Sequence, residues 1–287
     1  MIKSVVCFML LFIAVSIGAQ EMNDDLNKVK STFLDGKYEE ALELSNKVLG
    51  SKESLDSVNI SMAYSYAGLS YENLNKPAEA IENYKQAIVY NVPRLDIYDQ
   101  LINLTKNVDD SENYEWALMA KMKSFPDFKT EISQSLAQHY LRNKNYEALL
   151  KEAEGLIAIY PEETKFLYYK GVAYQNLDDE KNAYEMYAKI LKIEPDHVGA
   201  NMGAGIYLYK QGSLMFKKEK AKYEAKKAPT RVDYTNYLKS QDQAKAVYQE
   251  ALKYLLVAYN DGKTNLKPAI SNIYTRLGEK EKAEQYK

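Results

Sequence analysis

Cysteine, tryptophan and histidine are almost missing from this chain: its 287 residues hold one Cys, one Trp and two His. One cysteine cannot form an intramolecular disulfide, and Cys7 lies inside an N-terminal apolar run. Thiol catalysis and cysteine metal sites therefore have nothing to stand on. His139 and His197 lie far apart, and neither has a second His or Cys at ligand spacing, so a metal centre is not expected. No serine sits in a recognisable nucleophile motif, and no glycine-rich loop resembles a phosphate cradle. An excess of one charge is lacking too: 38 Lys and Arg face 40 Asp and Glu, a formal net charge of −2. A global attraction for nucleic acid is not expected. Runs that alternate apolar and polar residues are scarce, which argues against a sheet. The chain reads as non-catalytic, with no cofactor.

What is present is tyrosine and helical periodicity. Tyrosine, at 26 residues against 7 Phe, suits thin helical layers, because the ring packs while the hydroxyl reaches water. Lys3 precedes an apolar run, Val5 to Ile17, and then Gly18, Ala19 and Gln20. That layout predicts a signal peptide over residues 1–19, cleaved after Ala19. The run is short for a bilayer span of about 20 residues, so no transmembrane helix is expected in the mature chain, 20–287. An exported location follows, periplasmic or outer-membrane-associated.

The prolines carry a period. Pro93, Pro126, Pro161 and Pro195 are 33, 35 and 34 residues apart, and each reads as the stop of a helix. Small residues repeat in step: Ala137, Gly171 and Gly205 are each 34 apart. In the stretch Glu162 to Pro195, Leu167, Gly171 and Tyr174 share one helix face, and Ala183, Tyr187 and Ile190 share the face of a second. Gly171 and Ala183 let the two axes approach. Such a hairpin cannot bury its own apolar face and needs stacked copies.

This pattern resembles the tetratricopeptide repeat (TPR), with Lys170 departing where the family has an apolar residue. The resemblance implies an all-α, TPR-type helical-hairpin solenoid, a right-handed superhelix. Repeats are expected at about 23–50, 59–92, 94–126, 128–161, 162–195, 197–262 and 265–287. The structural positions are Gly68, Tyr71, Ala80 and Tyr84 in the second repeat; Ala137 and Tyr140 in the fourth; Gly171, Tyr174, Ala183 and Tyr187 in the fifth. Gly205 and Ala251 serve the sixth, and Gly278 the last. Gly205 and Ala251 stand about 34 residues too far apart, so a helical hairpin, about 211–243, is expected as an insertion in that penultimate repeat. Tyr234, Leu238, Ala244, Tyr248, Ala251 and Leu255 are its expected seam. Within it, residues 217–227 hold six lysines. They read as a solvated helix face, or as a contact for an acidic partner, anionic glycan or lipid headgroups. Trp116 reads as packing between helices, or as a partner anchor.

In a TPR array first helices line a concave groove. The resemblance places Ser65, Leu69 and Asn73 there from the second repeat, and Gln134, Gln138 and Arg142 from the fourth. Lys165, Tyr168, Val172, Gln175 and Asn176 come from the fifth, and Met202, Ile206 and Tyr209 from the sixth. Amides, tyrosines and a few apolar residues suit an extended peptide or a partner helix. With its signal peptide, the chain is similar to envelope TPR proteins of Gram-negative bacteria, especially those of the Bacteroidota. That likeness implies a protein-interaction scaffold of the cell envelope. The alternative is a glycan- or cell-wall-binding accessory of an outer-membrane uptake system.

Overall fold

The computed structural model describes residues 24–90 and 94–287. The expected signal peptide, with Lys3, Cys7 and Ala19, and the helix stop at Pro93 lie outside the described residues. Among those described there is no strand, and 14 α-helices follow one another as hairpins. The described residues form two compact units, the first ending at Ser135 and the second beginning at Leu136. The first holds α1 (24–34), α2 (Tyr38–Gly50), α3 (Ser57–Asn73), α4 (Pro77–Val89), α5 (Leu95–Asn107) and α6 (Ser111–Ser124). The division falls within α7 (Lys129–Arg142). The second continues with α8 (Tyr146–Ile159), α9 (Thr164–Asn176), α10 (Glu180–Ile193), α11 (Val198–Glu224), α12 (Arg231–Asn260), α13 (Lys267–Leu277) and α14 (Lys280–Glu284).

Local chemistry sets these limits. Asp56, Asp110, Asn145 and Asp179 cap α3, α6, α8 and α10 by accepting a backbone N–H three residues on. Pro77 opens α4 and Pro268 the first turn of α13. Pro126, Pro161 and Pro195 each stand two residues past the end of a helix, and Pro229 sits in the turn between α11 and α12.

The turns inside the hairpins share one device. Seven residues past the small position of the first helix, the backbone goes left-handed, at Gly36, Asn75, Asp109, Lys144, Asp178 and Gly278, with φ between 56° and 87°. The next residue's N–H then reaches back five residues. These bonds are 2.9 Å from Lys76 to Tyr71, Asp110 to Thr105, Asn145 to Tyr140, Asp179 to Tyr174 and Glu279 to Tyr274, a Schellman closure. In the sixth repeat Gly212 holds this register, and the chain does not turn: α11 runs straight through it.

The expected crossings are close. A Cβ on Gly68 would lie 2.7 Å from the Tyr84 ring, one on Gly171 2.7 Å from Tyr187, and one on Gly205 2.7 Å from Leu255. Ala80, Ala137, Tyr140, Ala183 and Ala251 are buried, and Tyr71 and Tyr174 are half-buried. Tyr84 donates its hydroxyl to Glu72 at 2.5 Å, and Tyr187 donates to Gln175 at 2.8 Å. The third repeat closes differently: Ile102 takes the small position, and Tyr98, Leu101, Ala117 and Leu118 fill the interior.

The inserted hairpin extends the two helices of its repeat. Its seam departs from the expected one. Ala244, Tyr248, Ala251 and Leu255 are buried as expected, but Tyr234 and Leu238 are 49% and 43% exposed. Tyr237 and the buried Gln241 take their places, which keeps the three-then-four spacing of a helix seam unbroken. The amide nitrogen and oxygen of Gln241 find no partner among the described residues.

Candidate functional site

In the second unit the first helices of successive hairpins carry one register in common. Five residues past the small position come Arg142, Asn176, Lys210 and Arg276, on α7, α9, α11 and α13, all exposed. The expected set holds Arg142 and Asn176. Lys210 and Arg276 follow from the same count and were missed for want of carrying it into the last two repeats. Asn176 folds back to donate to the Val172 carbonyl at 2.8 Å. Lys210 pairs with Glu180 of α10. Arg276 lies over the Phe216 ring, 4.5 Å from its centroid.

Between α11 and α13 this face opens into a cleft of about 520 Å³. Tyr209, Ser213 and Phe216 form one side, Asn272 and Arg276 the other, with Glu180 and Lys210 also lining it. Two of the walls have different origins. Tyr209, Asn272 and Arg276 belong to the ordinary repeats, whereas Ser213, Phe216 and Lys217 lie past Gly212, in the insertion. Ser213 is held in place by the Tyr248 hydroxyl, which donates to it at 3.1 Å. The cleft thus offers a guanidinium, an amide and ammonium groups as donors, beside two aromatic rings. Such a set holds carbonyl or carboxylate oxygens while an apolar side chain lies on the rings.

The other expected groove residues divide by exposure. Lys165, Gln175 and Gln138 are exposed, and Val172, Met202, Ile206 and Tyr209 are half-buried. Met202, Ile206 and Tyr209 pack on the core of α12 to α14. Tyr168 is set against neighbouring repeats: its ring meets Gly199, where a Cβ would stand 2.5 Å away, and the His197 ring at 5.2 Å. Burial raises its hydroxyl pKa above the ordinary tyrosine value. In the first unit Leu69 is half-buried and Asn73 is exposed, bonded to the Leu69 carbonyl at 2.8 Å. Gln134, on the first half of α7, is half-buried. Ser65 must be struck from the set. It is 0% exposed and donates to the Ser61 carbonyl at 2.7 Å, because α3 packs that side inward.

Both histidines are placed within the helical scaffold. His197 caps α11, its Nδ1 accepting from the Ala200 N–H at 3.1 Å, and His139 is buried edge-on to Tyr140. Among the described residues no group of three or more His, Cys, Asp or Glu could hold a metal. Trp116 is half-buried on the core of α4 to α6, with the Lys85 ammonium 5.3 Å over its ring. It lines a broad hollow of about 1030 Å³ with Val89, Tyr98 and Met119.

Known proteins share this architecture. Residues 61–90 and 164–197 match the model of the tetratricopeptide repeat family. A solved structure from Bacteroides ovatus ATCC 8483 is 21% identical, with a TM-score of 0.51 over 76% of this chain and 98% of that one. The C-terminal part of a TPR repeat-containing protein from Cytophaga hutchinsonii is 16% identical, covering 91% and 98% with a TM-score of 0.41. YrrB, described as a TPR protein with an unusual peptide-binding site, is 20% identical, covering 61% and 88% with a TM-score of 0.38. No curated protein sequence matches the chain. Residues 61–90 and 164–197 are tetratricopeptide repeats, and the fold is of the TPR helical-hairpin class.

Proposed function

We propose that this chain is a non-catalytic scaffold of the cell envelope, exported to the periplasm or the outer membrane, that holds an extended segment of a partner protein. The carrying observation is the cleft between α11 and α13, where Arg276, Asn272 and Lys210 offer donors beside the rings of Tyr209 and Phe216. A peptide laid there meets donors for its carbonyls and an aromatic floor for an apolar side chain. The insertion gives the reading its specificity, because Phe216 and Ser213 exist only in the repeat that carries it. The apolar run Val5 to Ile17 supports export.

A displayed peptide library selected on the purified protein tests the binding reading. One family of peptides should emerge. Arg276→Ala should weaken the best of them by about thirty-fold, the scale of a hot-spot arginine. Equal affinity for the variant, or selection of no peptide, would refute the site. Export is tested separately, by cell fractionation and N-terminal sequencing of the recovered chain. A mature start at Gln20 is expected, and an intact N-terminus in the cytoplasm contradicts it.

A further inference from the structure

The end of the inserted hairpin differs in charge from everything around it. Residues 217–231 hold six lysines and Arg231 against Glu219 and Glu224 alone, in a chain whose formal net charge is −2. Lys220 and Lys222 have weak local partners, Glu224 at 3.7 Å and Glu219 at 3.8 Å. Lys226 pairs with Asp233. For Lys218, Lys227 and Arg231 no ion pair is found among the described residues. Beside Lys227 and Arg231, at the turn, sit apolar groups turned to solvent: Val232 is 67% exposed and Tyr234 49%. Every residue from Glu224 to Val232 is exposed.

This end is also held out and held still. The helices α11 and α12 have 27 and 30 residues where α9 and α10 have 13 and 14. At 1.5 Å per residue the surplus carries the tip about 20 Å past the ordinary repeat. Thr230 and Asp233 form a reciprocal capping box at the start of α12. Behind it Tyr223 stacks on Tyr237, with centroids 4.9 Å apart and planes at 20°. The cations are therefore presented on a fixed support, not on a loose tail.

From this juxtaposition we infer that the hairpin tip is an adsorption surface for an anionic lipid bilayer. Phosphate-bearing headgroups meet Lys227 and Arg231, with Lys218 about 15 Å back along α11 adding longer-range attraction, while Val232 and Tyr234 enter the interface. The end of one hairpin is small against the roughly 800 Å² per partner of a standard protein interface. A bilayer needs no such area, since each cation near an anionic surface adds its own attraction. No helix among the described residues is long and apolar enough to cross a membrane, so contact is peripheral. Lys217 also lines the cleft, but Lys218, Lys227 and Arg231 do not, and the inference does not depend on the reading of the cleft.

The test is flotation of the full chain with vesicles of phosphatidylcholine alone and of phosphatidylcholine with one third phosphatidylglycerol. Binding should require phosphatidylglycerol and fall as salt rises. The triple variant Lys218→Glu, Lys227→Glu and Arg231→Glu should lose about a hundred-fold or more in partitioning. Val232→Ser, which leaves charge untouched, should lose several-fold. Helical circular dichroism, unchanged in both, excludes unfolding as the cause. Failure of the full chain to bind at low salt overturns the inference, as does a triple variant that binds like the parent. Equal binding to both vesicle types overturns it too, and so does tight binding of soluble polyglutamate by a chain that ignores vesicles, which would assign the cations to an acidic protein.

Discussion

Tyr187 sets the spacing of three helices in the second unit. A Cβ on Gly171 of α9 would come within 2.7 Å of its Cε1, and one on Gly203 of α11 within 2.2 Å of its Cε2. Its hydroxyl is tied to Gln175 and its pKa is raised by burial. With glycines against both edges the ring has no side to which it can retreat. Gly203→Ala is therefore expected to lower unfolding free energy by about 2–3 kcal/mol, the upper range for overpacking. Gly155, in the middle of α8, has nothing within 4 Å of the Cβ it lacks. Gly155→Ala should raise stability by about 0.5–1 kcal/mol, the helix-propensity gain. Urea titration of both variants separates the two signs. Gln241 gives a third case. Its amide lies in an otherwise apolar seam without a partner among the described residues, and such a group costs about 1–3 kcal/mol. Gln241→Leu should raise the midpoint of thermal unfolding, and a fall would mean that the amide is satisfied in solution.

At the scale of the element, the insertion can be read as one repeat length placed inside a turn. Gly212 stands where Gly36, Asn75, Asp109, Lys144, Asp178 and Gly278 turn left-handed, and Tyr248-Gln249-Glu250-Ala251-Leu252 resumes the pattern of Tyr38-Glu39-Glu40-Ala41-Leu42. Removing residues 213–246 joins the glycine directly to that second helix. The shortened chain is expected to remain helical and to unfold cooperatively, with Gly212 now closing the turn by a Schellman bond. Loss of helical dichroism beyond the residues removed would show that the frame was broken. The capping box at the hairpin end has its own signature. Hydrogen bonds from Lys226 and Thr230 hold the Asp233 carboxyl down to about 2. A depressed folded pKa contributes stability above the unfolded value, near 4, and loses it as pH falls toward 2. Hydrogen-exchange protection of residues 233–236 should fade across that window and not above it. These elements explain what the sequence makes legible. Helix crossings demand small residues and turns demand left-handed ones, so the period and the inserted hairpin leave marks that can be counted. The seam past Gln241 left a false trail, because a polar residue occupies a buried position while Tyr234 and Leu238 face water. The cleft was half visible: Tyr209 fell on the counted face, but Phe216 meets Arg276 only once α11 and α13 are packed together.

Within each unit, apolar clusters gather residues from neighbouring hairpins. The apolar clusters around Leu26 to Ala63 and Ala80 to Ala117 draw only on the first unit. Those around Leu167 to Ala204 and Tyr248 to Ala283 draw only on the second. In a repeat array stability is close to a sum over neighbouring pairs, so a run of successive hairpins can be tested as a fragment. Residues 129–287, which keep α7 entire, are expected to fold alone, with helical dichroism in proportion to their length and one cooperative urea transition. The slope of that transition should fall with the surface exposed, to about half that of the full chain. The cleft and the basic hairpin end both lie inside this fragment, so it should retain selected peptides and anionic vesicles with the parent's affinity. A fragment that is helical but melts without cooperativity would place essential packing before residue 129, and the two-unit description would then fail as an account of how the chain is held together.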